Sequence, residues 1–288
     1  MKLYYYRDPN GNFGDDLNAW MWSKILSRDL ADYHGHDDTF LGIGTLLSDG
    51  FLKQYGNKPK IIFGTGAGYG TTYSVAEEVK KANIYCVRGP LTALHFNLPQ
   101  SKVVTDGALL TAALVQPTKA KKYEVALVLH HVSHEIVGAG WQYLCSQANI
   151  HYIDPTGPVE DVLSAINESR LVIAEAMHGA ILADALRVPW IPIHTSPHIL
   201  EFKWRDWSLS MEMNHEFIYL PSLDTTITES ADGRERQMAI SNAKYLVDIL
   251  KKLPKQASPR LSESAVHAKK LTTLLAKIGD LEKEGLNR

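Results

Sequence analysis

Several clusters in this sequence carry side chains suited to chemistry, and each follows a run that reads as a β-strand. Asn12-Phe13-Gly14-Asp15-Asp16 opens a helix, where Gly14 permits a tight turn and Asp15 or Asp16 suits the N-terminus as a cap. Capping accounts for one carboxylate. In the functional alternative Asn12 and one of the two aspartates hold sugar hydroxyls or act as a base. Gly64-Thr65-Gly66-Ala67-Gly68-Tyr69-Gly70 is rich enough in glycine to bring backbone N–H groups close to a bulky anionic or sugar ligand, Thr65 and Gly66 being the candidates to contact a sugar. It fits the dinucleotide fingerprint poorly. That motif belongs to the first strand–helix turn and needs an acid about 20 residues on, and here the next strand ends in Arg88.

Arg88 precedes Gly89-Pro90 at a helix start, where an arginine can grip a carboxylate or phosphate through two parallel hydrogen bonds. The plainer reading is a surface arginine paired with an acid. Asp106, before Gly107, is expected to be a structural hydrogen-bond acceptor at a domain seam. His130, His131 and His134 lie just past another strand. Zinc would need a further ligand type at suitable spacing, which is missing, so one of them, His131, is expected to face the sugar or phosphate. In Glu175-Ala176-Met177-His178-Gly179-Ala180 a buried strand ends, His178 and Gly179 make the turn, and an apolar helix follows. Free N–H groups and the positive end of the helix dipole then point at His178, unless it is simply a structural histidine. Lys203 and Arg205 add cations among aromatic residues.

These residues need strands and helices to position them. Apolar runs at 3–6, 40–43, 60–63, 84–87 and 103–105 alternate with helix-period segments at 17–26 and 91–96. A polar, proline-bearing passage at 116–122 reads as a linker. Strands then follow at 124–129, 150–153, 171–174, 190–193 and 217–220, with helices at 135–147, 159–169, 180–187 and near 205–213. The pattern is that of an α/β protein with two Rossmann-like domains, residues 1–118 and 119–253, facing across a cleft. Ligands in such sheets bind beyond the carboxyl ends of the strands. Residues 254–288 form a tail with Val266, Leu271, Leu274, Leu275, Ile278 and Leu281 at helical spacing, suited to docking on the body, on a second copy or on a membrane surface.

Hydrophobic residues make up 45% of the 288, charged residues 22%, and the net charge is -2. That balance suits a packed globular protein of two domains and gives no reason to expect nucleic acid. Cys86 and Cys145 are far apart without CxxC neighbours and read as small buried hydrophobes. No run approaches the roughly 18 apolar residues of a membrane span, and the start is too polar for a signal peptide, so the expected location is the cytoplasm.

Residues 12–15, the loop 64–66, Val87-Arg88-Gly89-Pro90, Glu175-Ala176-Met177-His178-Gly179-Ala180 and Phe202-Lys203-Trp204 together resemble the polysaccharide pyruvyltransferases. Lys203-Trp204-Arg205-Asp206-Trp207 is most similar to the bacterial exopolysaccharide branch that serves succinoglycan or xanthan synthesis. The likeness runs from residue 2 to residue 220. It implies a fold like that of the GT-B glycosyltransferases, phosphoenolpyruvate (PEP) as donor, and a hexose of a lipid-linked oligosaccharide at the cytoplasmic face of the inner membrane as acceptor. It also carries donor-binding roles onto Arg88, His178 with Gly179, and Lys203. The His130/His131 region departs from the family's pattern. With PEP as donor, His178 would be the proton donor and Asp15 the base, with no cofactor and no metal; no DxD pair is present. The competing enzyme is a GT-B glycosyltransferase using a sugar nucleotide, which would want a carboxylate for the ribose near the Gly179 helix. A non-catalytic two-lobed sugar-binding protein would leave the cations and His178 without a purpose.

Overall fold

The computed structural model describes residues 1–33, 35, 37–50, 58–68, 73–221, 223 and 233–286. Tyr69 and Gly70 of the glycine-rich loop lie outside the described residues. The chain forms two compact units: Met1–Gln116 with Leu200–His215 and Ser262–Arg288, and Pro117–Ile199 with Glu216–Leu261.

The first unit begins with β1 (Lys2–Tyr4), α1 (Phe13–Ile25), β2 (Thr39–Leu41), β3 (Lys60–Phe63), α2 (Tyr73–Lys81), β4 (Asn83–Cys86), α3 (Pro90–His95) and α4 (Thr111–Leu114). Its strands pair in parallel in the order β1-β2-β3-β4, with Leu3 opposite Phe40 and Phe40 opposite Ile61. Layers covering both faces bury such strands completely, which is why β2 and β3 are continuous buried runs rather than alternating ones. Trp22 of α1 meets the sheet edge-on, 4.8 Å from Phe40 and 5.4 Å from Phe63. Pro90 opens α3 at a position whose N–H would have no helical partner anyway. The strand expected at 103–105 shrinks to a single parallel bridge, Val87 to Val103, because the chain then bends into a 3-10 turn capped by Asp106.

The second unit runs β5 (Ala126–Val128), α5 (His131–Ala148), β6 (His151–Ile153), α6 (Val159–Asn167), β7 (Val172–Ala174), α7 (Met177–Ala185) and β8 (Trp190–His194). The chain then contributes α8 (Glu201–Ser210) to the first unit, and returns with β9 (Ile218–Tyr219) and α9 (Gly233–Gln256). This sheet is also parallel, in the order β6-β5-β7-β8-β9. Leu127, Trp141, Leu144, Ile173, Ile191 and Leu250 form its core. α7 starts at Met177, not at Ala180 as the sequence suggested, so His178 and Gly179 are already helical. A Cβ on Gly179 would lie 2.5 Å from Val128 Cγ1; the glycine lets the first turn press against β5.

The last helix, α10 (Ser264–Leu286), settles what the tail's apolar stripe covers. Leu274, Ile278 and Leu281 are buried. Glu282 accepts hydrogen bonds from Ser27 N and Tyr33 Oη at 2.7 and 3.0 Å, and Tyr85 Oη donates to Glu284 at 2.7 Å. The stripe therefore docks on the first unit. Among the described residues, no helix is long and apolar enough to cross a membrane.

Candidate functional site

In the second sheet the chain passes from β5 to β6 on one side and then to β7 on the other, so strand order reverses between β5 and β7. Open parallel sheets hold ligands at the carboxyl ends of strands flanking such a reversal. His130 and His131 follow β5, and Glu175 through Gly179 follow β7. The helices α5 and α7 thus start from neighbouring strands, each with the positive end of its dipole at that level. His178, partly buried, is the second residue of α7.

Glu175 holds these ends together. It is fully buried; one carboxylate oxygen accepts from His130 N at 3.0 Å and the other from Thr195 N and Thr195 Oγ1, tying β5, β7 and β8 at one level. Sequence reasoning quoted this residue without giving it a task. The signal was an acid ending a wholly apolar strand. The histidines after β5 turn to different partners. His130 Nδ1 caps α5 by accepting from Val132 N, and His134 Nδ1 pairs with Tyr152 Oη at 2.8 Å. His131, partly exposed, packs its ring 4.4 Å from that of His130. Among the described residues no group of three or more His, Cys, Asp or Glu side chains is placed to hold a metal ion.

The first unit gathers its own polar groups. Asn12 caps α1 by accepting from Gly14 N, and its Nδ2 donates to Asp15 Oδ2 at 2.7 Å. Gly44, at φ +104°, closes over the same carboxylate, and a Cβ there would lie 3.1 Å from Asp15 Oδ1. Facing Asp15 electrostatically is Lys203 of α8, itself buried. Burial raises the Asp15 carboxyl to about 7 against the opposing pull of Lys203. Burial likewise lowers the Lys203 ammonium to about 8, helped by Arg88 and opposed by Asp15. Desolvation outweighs mutual attraction, and both groups are brought to exchange protons near neutral pH.

Arg88, expected to grip a ligand, is held by groups of the protein. It is fully buried, and its Nε donates to Asp206 Oδ2 at 3.0 Å, Nη1 to Thr45 Oγ1 at 3.1 Å and Nη2 to the Ala67 carbonyl at 2.7 Å. The pairing with an acid is there, buried rather than at the surface. The glycine loop serves this arrangement: a Cβ on Gly66 would sit 2.4 Å from Arg88 Cζ. Thr65 is fully buried, its hydroxyl donating to Gly44 O and accepting from Leu46 N, while Gly66 N also donates to Gly44 O. Thr65 and Gly66 thus shape the turn that carries Gly44 over the Asp15 carboxylate.

Two parallel-stranded units, each with polar groups collected at strand ends, define an α/β protein. Residues 2–197 match the polysaccharide pyruvyl transferase family, and the chain belongs to that family. It is 37% identical over 215 residues to the succinoglycan biosynthesis protein ExoV of Rhizobium meliloti (strain 1021), an alignment covering 75% of this chain. The chain spans 66% of that relative's length.

Proposed function

We propose that this chain transfers pyruvate from PEP onto two hydroxyls of a hexose, as a ketal, in an exopolysaccharide repeat unit or its lipid-linked precursor. The Asp15–Lys203 pair carries the reading. A cation for the donor beside a base for the acceptor is what transfer between the two requires, and both titrate close to neutral pH. Family membership and a relative named for succinoglycan biosynthesis support it.

In this reading the donor role falls to Lys203 and to His178 with Gly179, and the acceptor role to Asn12 and His131, as the resemblance to the pyruvyltransferases suggests. His178 delivers a proton to the methylene carbon of PEP, which leaves the adjacent carbon electrophilic. A sugar hydroxyl adds there as Asp15 takes its proton. The carbon–oxygen bond to phosphate breaks, its electron pair leaving with inorganic phosphate, and the second hydroxyl adds at the same carbon and loses its proton. One PEP and two hydroxyls thus give one ketal and one phosphate. PEP is the co-substrate, and no cofactor enters these steps.

Thermal melts in the presence of PEP or UDP-glucose test the donor. A ligand at a hundred times its dissociation constant adds about 2.7 kcal/mol, so PEP should raise the melting temperature and UDP-glucose should not. The opposite pattern would sink the reading in favour of a sugar-nucleotide glycosyltransferase. His178→Gln should lower turnover at saturating PEP by about 10²–10⁴-fold, the usual contribution of a general acid. Loss of PEP affinity alone would make His178 a binding residue.

A further inference from the structure

Lys203 acts on Asp15 electrostatically from α8, a segment that enters the first unit only after the chain has built most of the second. Something must seat that helix with the accuracy an acid–base pair needs. Asp206 lies one turn beyond Lys203 on α8, at the i,i+3 spacing that puts both on one side of a helix. It is fully buried and accepts from Arg88 Nε at 3.0 Å, Leu91 N at 2.8 Å, Thr92 N at 3.0 Å and Thr92 Oγ1 at 2.6 Å. One carboxylate therefore neutralises a buried guanidinium and caps the first turn of α3.

The contacts continue to the other member of the pair. Arg88 binds Thr45 Oγ1 and the Ala67 carbonyl, and Thr92 Oγ1 accepts from Ala67 N at 3.0 Å. Thr45 follows Gly44, the residue packed over the Asp15 carboxylate, and Gly44 O is held by Thr65 Oγ1 and Gly66 N. Gly89 admits α8 at this place, since a Cβ there would lie 2.1 Å from the Asp206 carbonyl oxygen. Resting on the functional reading above, we propose that Asp206 is the positioning residue of this site: by gathering Arg88 and the start of α3 onto α8, it holds Lys203 beside Asp15. No substrate contact is assigned to it.

The charged groups acting on Lys203 are Asp15 and Arg88, and those acting on Asp15 are Lys203, Asp16 and Asp8. The test uses the full chain and reads the Lys203 ammonium directly, by the pH dependence of its acetylation with acetic anhydride, quantified by mass spectrometry. Two variants are compared with the native protein, Asp206→Asn and Thr92→Val. Both loosen α8, and only the first alters charge. If Asp206 positions Lys203, both variants release it toward water, and its labelling midpoint rises from about 8 by about one unit or more. The dissociation constant for PEP should rise about tenfold with it, as for one lost charge-assisted contact. A purely electrostatic role predicts the reverse for Asp206→Asn, because an uncompensated Arg88 drives the midpoint down, and no change for Thr92→Val. Either that pattern, or unchanged midpoints in folded variants, overturns the proposal. Should Asp206→Asn fail to fold, Thr92→Val decides by the same readouts. A native protein that does not bind PEP would refute the functional reading and leave the Lys203 midpoint to judge the positioning.

Discussion

Asp106 offers a measurement that isolates one buried carboxyl. It is fully buried; Oδ1 accepts from Ala108 N at 2.9 Å, and Oδ2 has no hydrogen-bond partner among the described residues. Burial raises its carboxyl from the ordinary 3.8 to about 7, against smaller opposing contributions from the Ala108 hydrogen bond and Arg88. The native state keeps a proton that the unfolded chain has already released. The stability tied to this carboxyl is therefore complete below pH 3.8 and is lost as pH rises toward 7. Linkage between those two values removes about 2.5 kcal/mol between pH 5 and pH 8. Asp106→Asn keeps the shape and the oxygen facing Ala108 but titrates in neither state. The difference in unfolding free energy between variant and native protein should thus shift by about 2.5 kcal/mol in the variant's favour from pH 5 to pH 8. Asp15, raised in the same sense, and Lys203, lowered to about 8, act in both proteins and cancel. Urea unfolding followed by tryptophan fluorescence at the two pH values gives the numbers. An offset of the same size at both would refute the reasoning, because it would mean that Asp106 is ionised in the native protein throughout.

Leu281→Ala, at a fully buried position of α10, should cost about 2–5 kcal/mol in urea unfolding if the last helix belongs to the first unit's core. Gly66→Ala forces a methyl group against the Arg88 guanidinium and should destabilise by about 1–3 kcal/mol in the same assay. Residues 1–116 expressed alone should remain unfolded by circular dichroism and amide NMR. Without α8 the buried Arg88 loses its Asp206 carboxylate, and α3 loses the acceptor at its first turn.

The sheets were legible because parallel strands buried on both faces leave apolar runs, and the turns after them leave glycine, histidine and acids. Boundaries suffered where a residue serves two elements. Gly179 was read as a turn glycine, although its purpose is close approach of α7 to Val128. The place of α8 was not legible, and its composition explains why. An amphipathic reading sends charged residues to solvent, yet α8 buries Lys203 and Asp206 alongside Trp204 and Trp207. A pattern that mixes charge and tryptophan on the buried side says helix without saying which unit it completes.

The roles of the two cations divide along the same line. Sequence marks Arg88 and Lys203 alike as candidates for an anion, since both follow strands and both precede or open helices. Their chemistry separates them once burial is known. A guanidinium stays ionised in any protein environment, so an arginine sealed from water needs a permanent carboxylate and acceptors for its fork. Asp206, Thr45 and Ala67 supply these, which commits Arg88 to the frame. An ammonium responds to the same burial by giving up its proton more easily, and Lys203 does so beside a carboxyl that has become correspondingly reluctant to lose its own. On the proposed function, Lys203, which can change charge state, belongs where protons move, and Arg88, which cannot, belongs in the support behind it.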